Sequence, residues 1–222
     1  MLLAIDTSTR MVGIALYDGV QVVSESLWTS RDYHTVELAP AVAEMLARAG
    51  INAAGLQGLA VALGPGSFTG LRIGLALAKG LALTQRLPLV GVPSLDFLAA
   101  AQPVQDLPLA AVLRAGRGRL AVGWYFPSAG GWQPGGRLEV LTAAELNAAI
   151  SRVTLVCGEL DEEERRLLAR KRKNVRLASP AQCARRPGFL AEIGWQRLQS
   201  GQVDAPETLA PIYLHHHDPI PG

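Results

Sequence analysis

Residues 59–83, LAVALGPGSFTGLRIGLALAKGLAL, constrain the fold of this chain more than any other stretch. The apolar run 59–63 has the make-up of a buried strand, and 71–84 that of a helix with very little polar surface. Between them lie Gly64, Gly66, Ser67, Thr69 and Gly70. A strand, a glycine-rich turn and a helix in that order bring backbone N–H groups to a place where an anion can sit. Two phosphate fingerprints nevertheless fail. A Walker loop needs lysine after its last glycine, and here Leu71-Arg72 follows Gly70. A dinucleotide loop needs two residues between its second and third glycines; this one has three, and Pro93-Ser94 stands where an acid is required. A tight strand-to-helix connection accounts for all three glycines.

The helix is the odder part. Gly70, Gly74, Ala78 and Ala82 recur at every fourth position, although each glycine costs a helix interior roughly 1 kcal/mol relative to alanine. Such a stripe lets another element approach the helix axis closely. Residues 35–49 predict a second helix, with Val36, Leu38, Val42, Met45 and Leu46 on the helical period and Gly50 just past its end. It carries its own stripe of Ala39, Ala43 and Ala47. Covering by the chain's own sheet and covering by a partner molecule both fit this pattern.

Ahead of these helices, strands are expected over 2–6, 12–17 and 20–27, the last two joined by an Asp18-Gly19 hairpin turn. Asp6, Thr7, Ser8 and Thr9 make the first turn. Their hydroxyls and amides can face a phosphate, with Asp6 near a metal ion, or can simply cap the turn. With a further strand over 89–92, the order βββαβαβ is an α/β layout on a mixed sheet. A short helix over 96–101 and a boundary at 102–108 divide the chain into 1–103 and 104–222. The second part repeats the style with weaker signals. Strands are expected over 109–113, 120–126, 153–157 and 209–214, helices over 142–150, 162–172 and 189–198, and a loop over 130–136. Arg114, Arg117 and Arg119 share one turn, and Thr142 with Glu145 has capping-box spacing.

Composition narrows function by exclusion. Hydrophobic residues make up 49% of the chain, enough to bury a core. Lys+Arg at 21 against Asp+Glu at 19 lacks the basic excess of a dedicated nucleic-acid binder. Cys157 and Cys183 have neither metal nor disulfide spacing. His34 with Glu37, and the tail His215, His216 and His217, supply no zinc motif, and Ser67 has no identifiable base. The basic run 165–173 with Arg176 follows Glu162, Glu163 and Glu164, so it reads as a solvated helix charged along its macrodipole. The chain starts directly on a strand, and no apolar run reaches the roughly 20 residues needed to cross a bilayer. A soluble, cytoplasmic protein without membrane contact is expected, with no catalytic or metal-binding residues of its own.

The motifs LLAIDTST, SRDYHTVELAP, GPGSFTGLRIGLALAKGLAL, PLVGVPSLD and LAPIYL together resemble the TsaB family, also called YeaZ. The match is dense over roughly residues 1–100 and sparse beyond. The resemblance implies a two-lobed actin-like ATPase fold, ribonuclease H-like, α/β with mixed sheets. Asp6, Thr7, Ser8 and Thr9 are then the vestige of its first phosphate loop. It implies a non-catalytic scaffold subunit that binds TsaD directly and works with the ATPase TsaE. Together they support transfer of a threonylcarbamoyl group, supplied as an adenylate by a TsaC-type enzyme, to the adenosine beside the tRNA anticodon. tRNA is reached through the complex, and the chain self-associates as a homodimer when TsaD is absent.

The partner surface so implied comprises Val36, Ala39, Ala43, Leu46, Gly70, Leu71, Gly74 and Ala78. No cofactor of its own is implied; nucleotide or metal belongs to, or is shared with, TsaD. TsaD-like relatives place two metal-binding histidines as HxxxH on the helix at 35–49, a pair broken here because Leu38 follows His34 at the fourth position. Where the family commonly has an Asp-Ala-Arg run, this chain has Arg114-Ala115-Gly116, and its tail HHHDPIPG is also atypical. The alternative class is an enzyme: a metallopeptidase, or a small-molecule kinase of the same superfamily. The kinase needs a second phosphate loop and a second-lobe acid, which 153–158 does not supply.

Overall fold

The computed structural model describes residues 1–30, 34–171 and 173–214, the His34 side chain excepted. His215, His216, His217 and Arg172 lie outside the described residues. Two mixed sheets carry the fold. The first contains β1 (Leu2–Asp6), β2 (Met11–Tyr17), β3 (Val22–Thr29), β4 (Gly58–Ala62) and β5 (Leu89–Val92), in the order β3-β2-β1-β4-β5. Neighbours β1, β2 and β3 are antiparallel, and β1, β4 and β5 are parallel.

The second sheet contains β6 (Leu109–Gly116), β7 (Arg119–Ser128), β8 (Gly131–Pro134), β9 (Glu139–Leu141), β10 (Thr154–Gly158) and β11 (Val175–Leu177). Its order is β11-β10-β6-β7-β8, with β9 pairing beside β8 on the long strand β7. Here β6, β7 and β8 are antiparallel while β6, β10 and β11 are parallel. Read from its other edge, the second sheet has the order and directions of the first. The fold is a repeated α/β unit, the two-lobed actin-like arrangement.

Six α-helices accompany the sheets among the described residues: α1 (His34–Arg48), α2 (Phe68–Gln85), α3 (Ser94–Ala100), α4 (Ala143–Ala149), α5 (Glu162–Ala169) and α6 (Pro187–Gln199). Strand alternation sorts their contacts. Leu3 and Ile5 of β1 and Leu59 and Val61 of β4 pack beneath α1 and α2. Leu2, Ala4, Ala60 and Ala62 face the other way and meet Leu190 and Ala191 of α6. Alanines pave that side because α6 lies close: a Cβ on its Gly194 would come within 2.5 Å of the Ala60 methyl. On the second sheet, α4 and α5 cover one face through Leu146 and Leu168. The opposite face receives Leu95, Leu98 and Ala99 of α3, whose Phe97 reaches back into the first core. The helix that ends the second half therefore completes the core of the first.

Several expectations change. Residues 130–136, read as a loop, contain β8, which pairs Trp132 with Pro127 and Gln133 with Phe126. The third strand runs from Val22 to Thr29 because Asp18 binds the amides of Val20 and Gln21 and widens the turn before it. No strand forms over 209–214; that segment is tied down by the Ile212 N–H donating to the Leu63 carbonyl at 2.7 Å. Helix α5 ends at Ala169, short of the expected end at 172.

Candidate functional site

The turn after β1 is walled in by the glycine loop and α2. Asp6, Thr7 and Ser8 are buried there. Asp6 Oδ1 accepts from the Ser8 N–H at 2.9 Å and from Ser8 Oγ at 2.6 Å, which fixes the carboxylate and leaves Oδ2 pointing elsewhere. Thr7 Oγ1 donates to the Gly70 carbonyl at 2.7 Å, and the Ser67 N–H donates to the Ser8 carbonyl at 2.6 Å. Ser94 Oγ completes the cluster, 2.5 Å from Ser8 Oγ and accepting from the Gly64 N–H at 3.0 Å. Ser67 caps α2 by accepting from the Gly70 N–H at 3.2 Å, and Thr69 is exposed.

Three glycines make this packing possible. A Cβ on Gly66 would run into the Ser8 carbonyl, one on Gly70 into the Thr7 carbonyl, and one on Gly74 into Thr7 Oγ1. The stripe on α2 is thus a seat for the chain's own first turn. Gly70 and Gly74 are buried against it, Ala78 is buried in the core beneath α2, and Leu71 and Leu46 of α1 are buried as well. Their expected place on a partner surface is corrected accordingly. Periodicity gives which residues share a face, and the neighbour on that face is internal. Of the expected surface residues, Val36, Ala39 and Ala43 are exposed. The exposed side of α2 carries Arg72, Ala76, Gly80 and Leu83 instead. The outer sides of α1 and α2 thus expose small and apolar side chains beside the charged Arg72, Glu44 and Arg48.

The remaining oxygen of Asp6 is taken by Arg185, a residue that no motif or spacing singles out. Arg185 stands just before α6, and its side chain is 0% exposed. Nε donates to Asp6 Oδ2 at 2.9 Å, and Nη1 donates to Glu159 Oε1. Nη2 donates to Thr9 Oγ1 at 2.9 Å and to the Met11 carbonyl at 2.8 Å. Burial alone would lower the guanidinium's pKa, but Asp6 and Glu159 outweigh it and raise the value, so the group stays charged. Glu159 follows β10 and also accepts from Thr9 Oγ1 at 2.6 Å. It sits one residue beyond the segment 153–158, which itself holds no such acid, so the second half does bring a carboxylate to this place. That carboxylate is already engaged by Arg185.

Above Arg185 a cleft of about 1070 Å³ opens between the halves. Thr9, Met11, Gly66, Ser67 and Phe68 line one side, and Arg114, Gly116, Glu159 and Leu160 the other. The β6–β7 turn, which corresponds in topology to the turn after β1, reaches it from the second half. Its backbone is left-handed at Gly116, Arg117 and Gly118. Arg114 donates to Asp161 at 3.0 Å and Glu164 at 3.1 Å, and those two acids form the capping box of α5. At the mouth, the Arg72 guanidinium lies 3.6 Å from the Phe68 ring centroid and donates from Nε to the Tyr213 hydroxyl at 3.0 Å. No helix among the described residues is long and apolar enough to cross a membrane.

Residues 22–126 match the family model described as TsaD: tRNA N6-adenosine threonylcarbamoyltransferase. The chain is 39% identical over 124 residues to the tRNA threonylcarbamoyladenosine biosynthesis protein TsaB of Bacillus subtilis, spanning 56% of this chain and 54% of that protein. It is 40% identical over 98 residues to the protein of the same name from Escherichia coli, spanning 44% and 42%. The chain thus spans about half the length of the curated relatives it matches first. Over 99% of its own length and 93% of the relative's, it is 30% identical to the uncharacterized protein Rv3421c of Mycobacterium tuberculosis. Among solved structures, YeaZ from Pseudomonas aeruginosa superposes with a TM-score of 0.77 at 25% identity, covering 96% of this chain and 99% of that one.

Proposed function

We infer the role of this chain from one premise: it belongs to the TsaB/YeaZ family. The chain acts in tRNA threonylcarbamoyladenosine biosynthesis, as a non-catalytic subunit that binds a TsaD-type transferase. TsaE joins the same assembly, tRNA is met through the complex, and nucleotide or metal is held by the transferase or shared with it. The observation that carries this reading is the outer sides of α1 and α2, on which Val36, Ala39 and Ala43, and Ala76, Gly80 and Leu83, are exposed. An apolar, small-residue helix pair of that kind suits a second helix pair. In the absence of TsaD, the same face joins two copies of this chain.

The test is reconstitution. Purified chain is combined with TsaD, TsaE, a TsaC-type enzyme and unmodified tRNA, and modified adenosine is measured with and without it. Modification that depends on the chain is expected; equal yield in its absence overturns the role. Ala76→Arg places a charge on the outer face of α2 at an exposed position, so the monomer keeps its fold while co-purification with TsaD is lost. Undiminished co-purification would move the partner surface elsewhere. Gly74→Leu is the wrong probe, because its side chain would enter the seat of Thr7.

A further inference from the structure

An actin-like ATPase fold implies a nucleotide with its divalent ion between the lobes, close to the turn after β1. The residues present do not fit that group. Four oxygens converge there: Asp6 Oδ2, Glu159 Oε1, Thr9 Oγ1 and the Met11 carbonyl. Two carboxylates, a hydroxyl and a carbonyl are the hard donors that hold Mg²⁺ or Ca²⁺. All four instead accept hydrogen bonds from one guanidinium, whose planar fork supplies several donors in one plane. The group is fully buried and flanked by two carboxylates. A diffusible cation has no room at this position and meets like charge beside it.

We infer that Arg185 is a tethered cation that takes the place of a dissociable divalent ion on the cleft floor. It joins the halves without a ligand: Asp6, Thr9 and Met11 come from β1, β2 and the turn between them, and Glu159 from the end of β10. It lies behind the cleft, covered by Thr9, Met11 and Glu159, which line it. The corollary is a latent site. Withdrawing the guanidinium leaves an oxygen-lined vacancy of net negative charge and guanidinium size, which a hydrated divalent ion can enter. This inference concerns the chain's own residues and stands apart from the tRNA modification role.

The experiment measures Mn²⁺ binding by electron paramagnetic resonance, together with thermal unfolding, on the full chain. Three proteins are compared: wild type, Arg185→Gly and Arg185→Gly/Glu159→Gln. Wild type is expected to bind no Mn²⁺ at the floor. Arg185→Gly gains one Mn²⁺ per chain, and its lowered Tm is raised by Mn²⁺ or by millimolar guanidinium but not by NaCl of equal ionic strength. The double variant loses the metal. If Arg185→Gly does not fold alone, refolding in Mn²⁺ or dilute guanidinium restores it; failure of both additives overturns the inference. So does a folded Arg185→Gly that responds to neither, or a wild-type Mn²⁺ signal abolished by Asp6→Asn.

Discussion

The turn after β1 and the turn after β6 occupy corresponding places in two copies of one topology, yet they share almost no chemistry. The first is buried, holds an aspartate, and is gripped by three glycines and a guanidinium from the far end of the chain. The second is rich in arginine, and a Cβ added to its Gly116 or Gly118 would meet nothing within 4 Å. Their glycines serve different ends. Those beside the first turn admit close approach, whereas those in the second permit a left-handed backbone. The helices behind the turns differ in the same sense. Helix α2 is pressed onto its turn by Gly70 and Gly74, while α5 begins with Glu162, Glu163 and Glu164 and is exposed there apart from a partly buried Glu164. Duplicated topology fixes where a turn lies, and local side chains decide whether it becomes a joint or stays a surface.

The contrast is most severely tested at the arginines. Arg185→Ala strands two carboxylates in or near the interior and should cost about 3–5 kcal/mol in urea unfolding. A loss no greater than that of a surface mutation would mean the first turn is no joint. Next come the glycines of α2. Gly74→Ala forces a methyl onto Thr7 Oγ1 and is expected to destabilise by roughly 1–3 kcal/mol. Gly80→Ala, which meets nothing within 4 Å, should instead stabilise the helix by up to about 1 kcal/mol. Opposite signs at these two sites, read from denaturation midpoints, would confirm which side of α2 faces in; exchanged signs would reverse it, and like signs would abolish the distinction. Arg114→Ala removes exposed ion pairs on the second turn, so the unfolding midpoint should scarcely move.

The smallest effect is one of pH, at the seam between α3 and β7. Burial raises the pKa of Asp96, opposed by the hydrogen bond from Tyr125 at 2.8 Å and by Arg197. A carboxyl with a raised folded pKa gives its full stabilisation below the unfolded pKa and loses it as pH rises through the folded one. Asp96→Asn keeps an acceptor for Tyr125 and cannot ionise. Its stability relative to wild type should therefore improve as pH rises through the acid range and level off near neutrality. A constant difference in Tm across that range would show that Asp96 does not titrate in the fold.

Much of the architecture was legible in the chain. The apolar runs at β1 and β4, the long α2 and the Thr142–Glu145 capping box all carry local signals strong enough to survive packing. The mixed layout and the two-part organisation of sheets followed from their order. Strands β9 and β11, three residues each, are too short to show a period and exist because a neighbour's edge is waiting for them. The site was half legible. Asp6, Thr7, Ser8 and Thr9 lie where a turn of polar residues ends a buried strand, but Arg185 is 179 positions from Asp6, and nothing local marks it. The nearest hint is Arg185-Arg186 standing before the proline that opens α6. The α2 stripe is legible as a place of close approach, but the spacing leaves the neighbour open, and Gly70 and Gly74 receive the chain's own first turn.

The position of α6 has a consequence for how the molecule is made. A growing chain leaves the ribosome N-terminus first, and units fold as they emerge. Apart from Phe97 of α3, the alanine-paved side of the first sheet finds its cover when residues 187–199 have been synthesised. Until then a nascent chain carries Ala4, Ala15, Ala60 and Ala62 without their partner helix, although these residues stand near its beginning. Holding factors that bind exposed apolar sheet should therefore stay engaged until late in translation, and release should coincide with the arrival of the last helix.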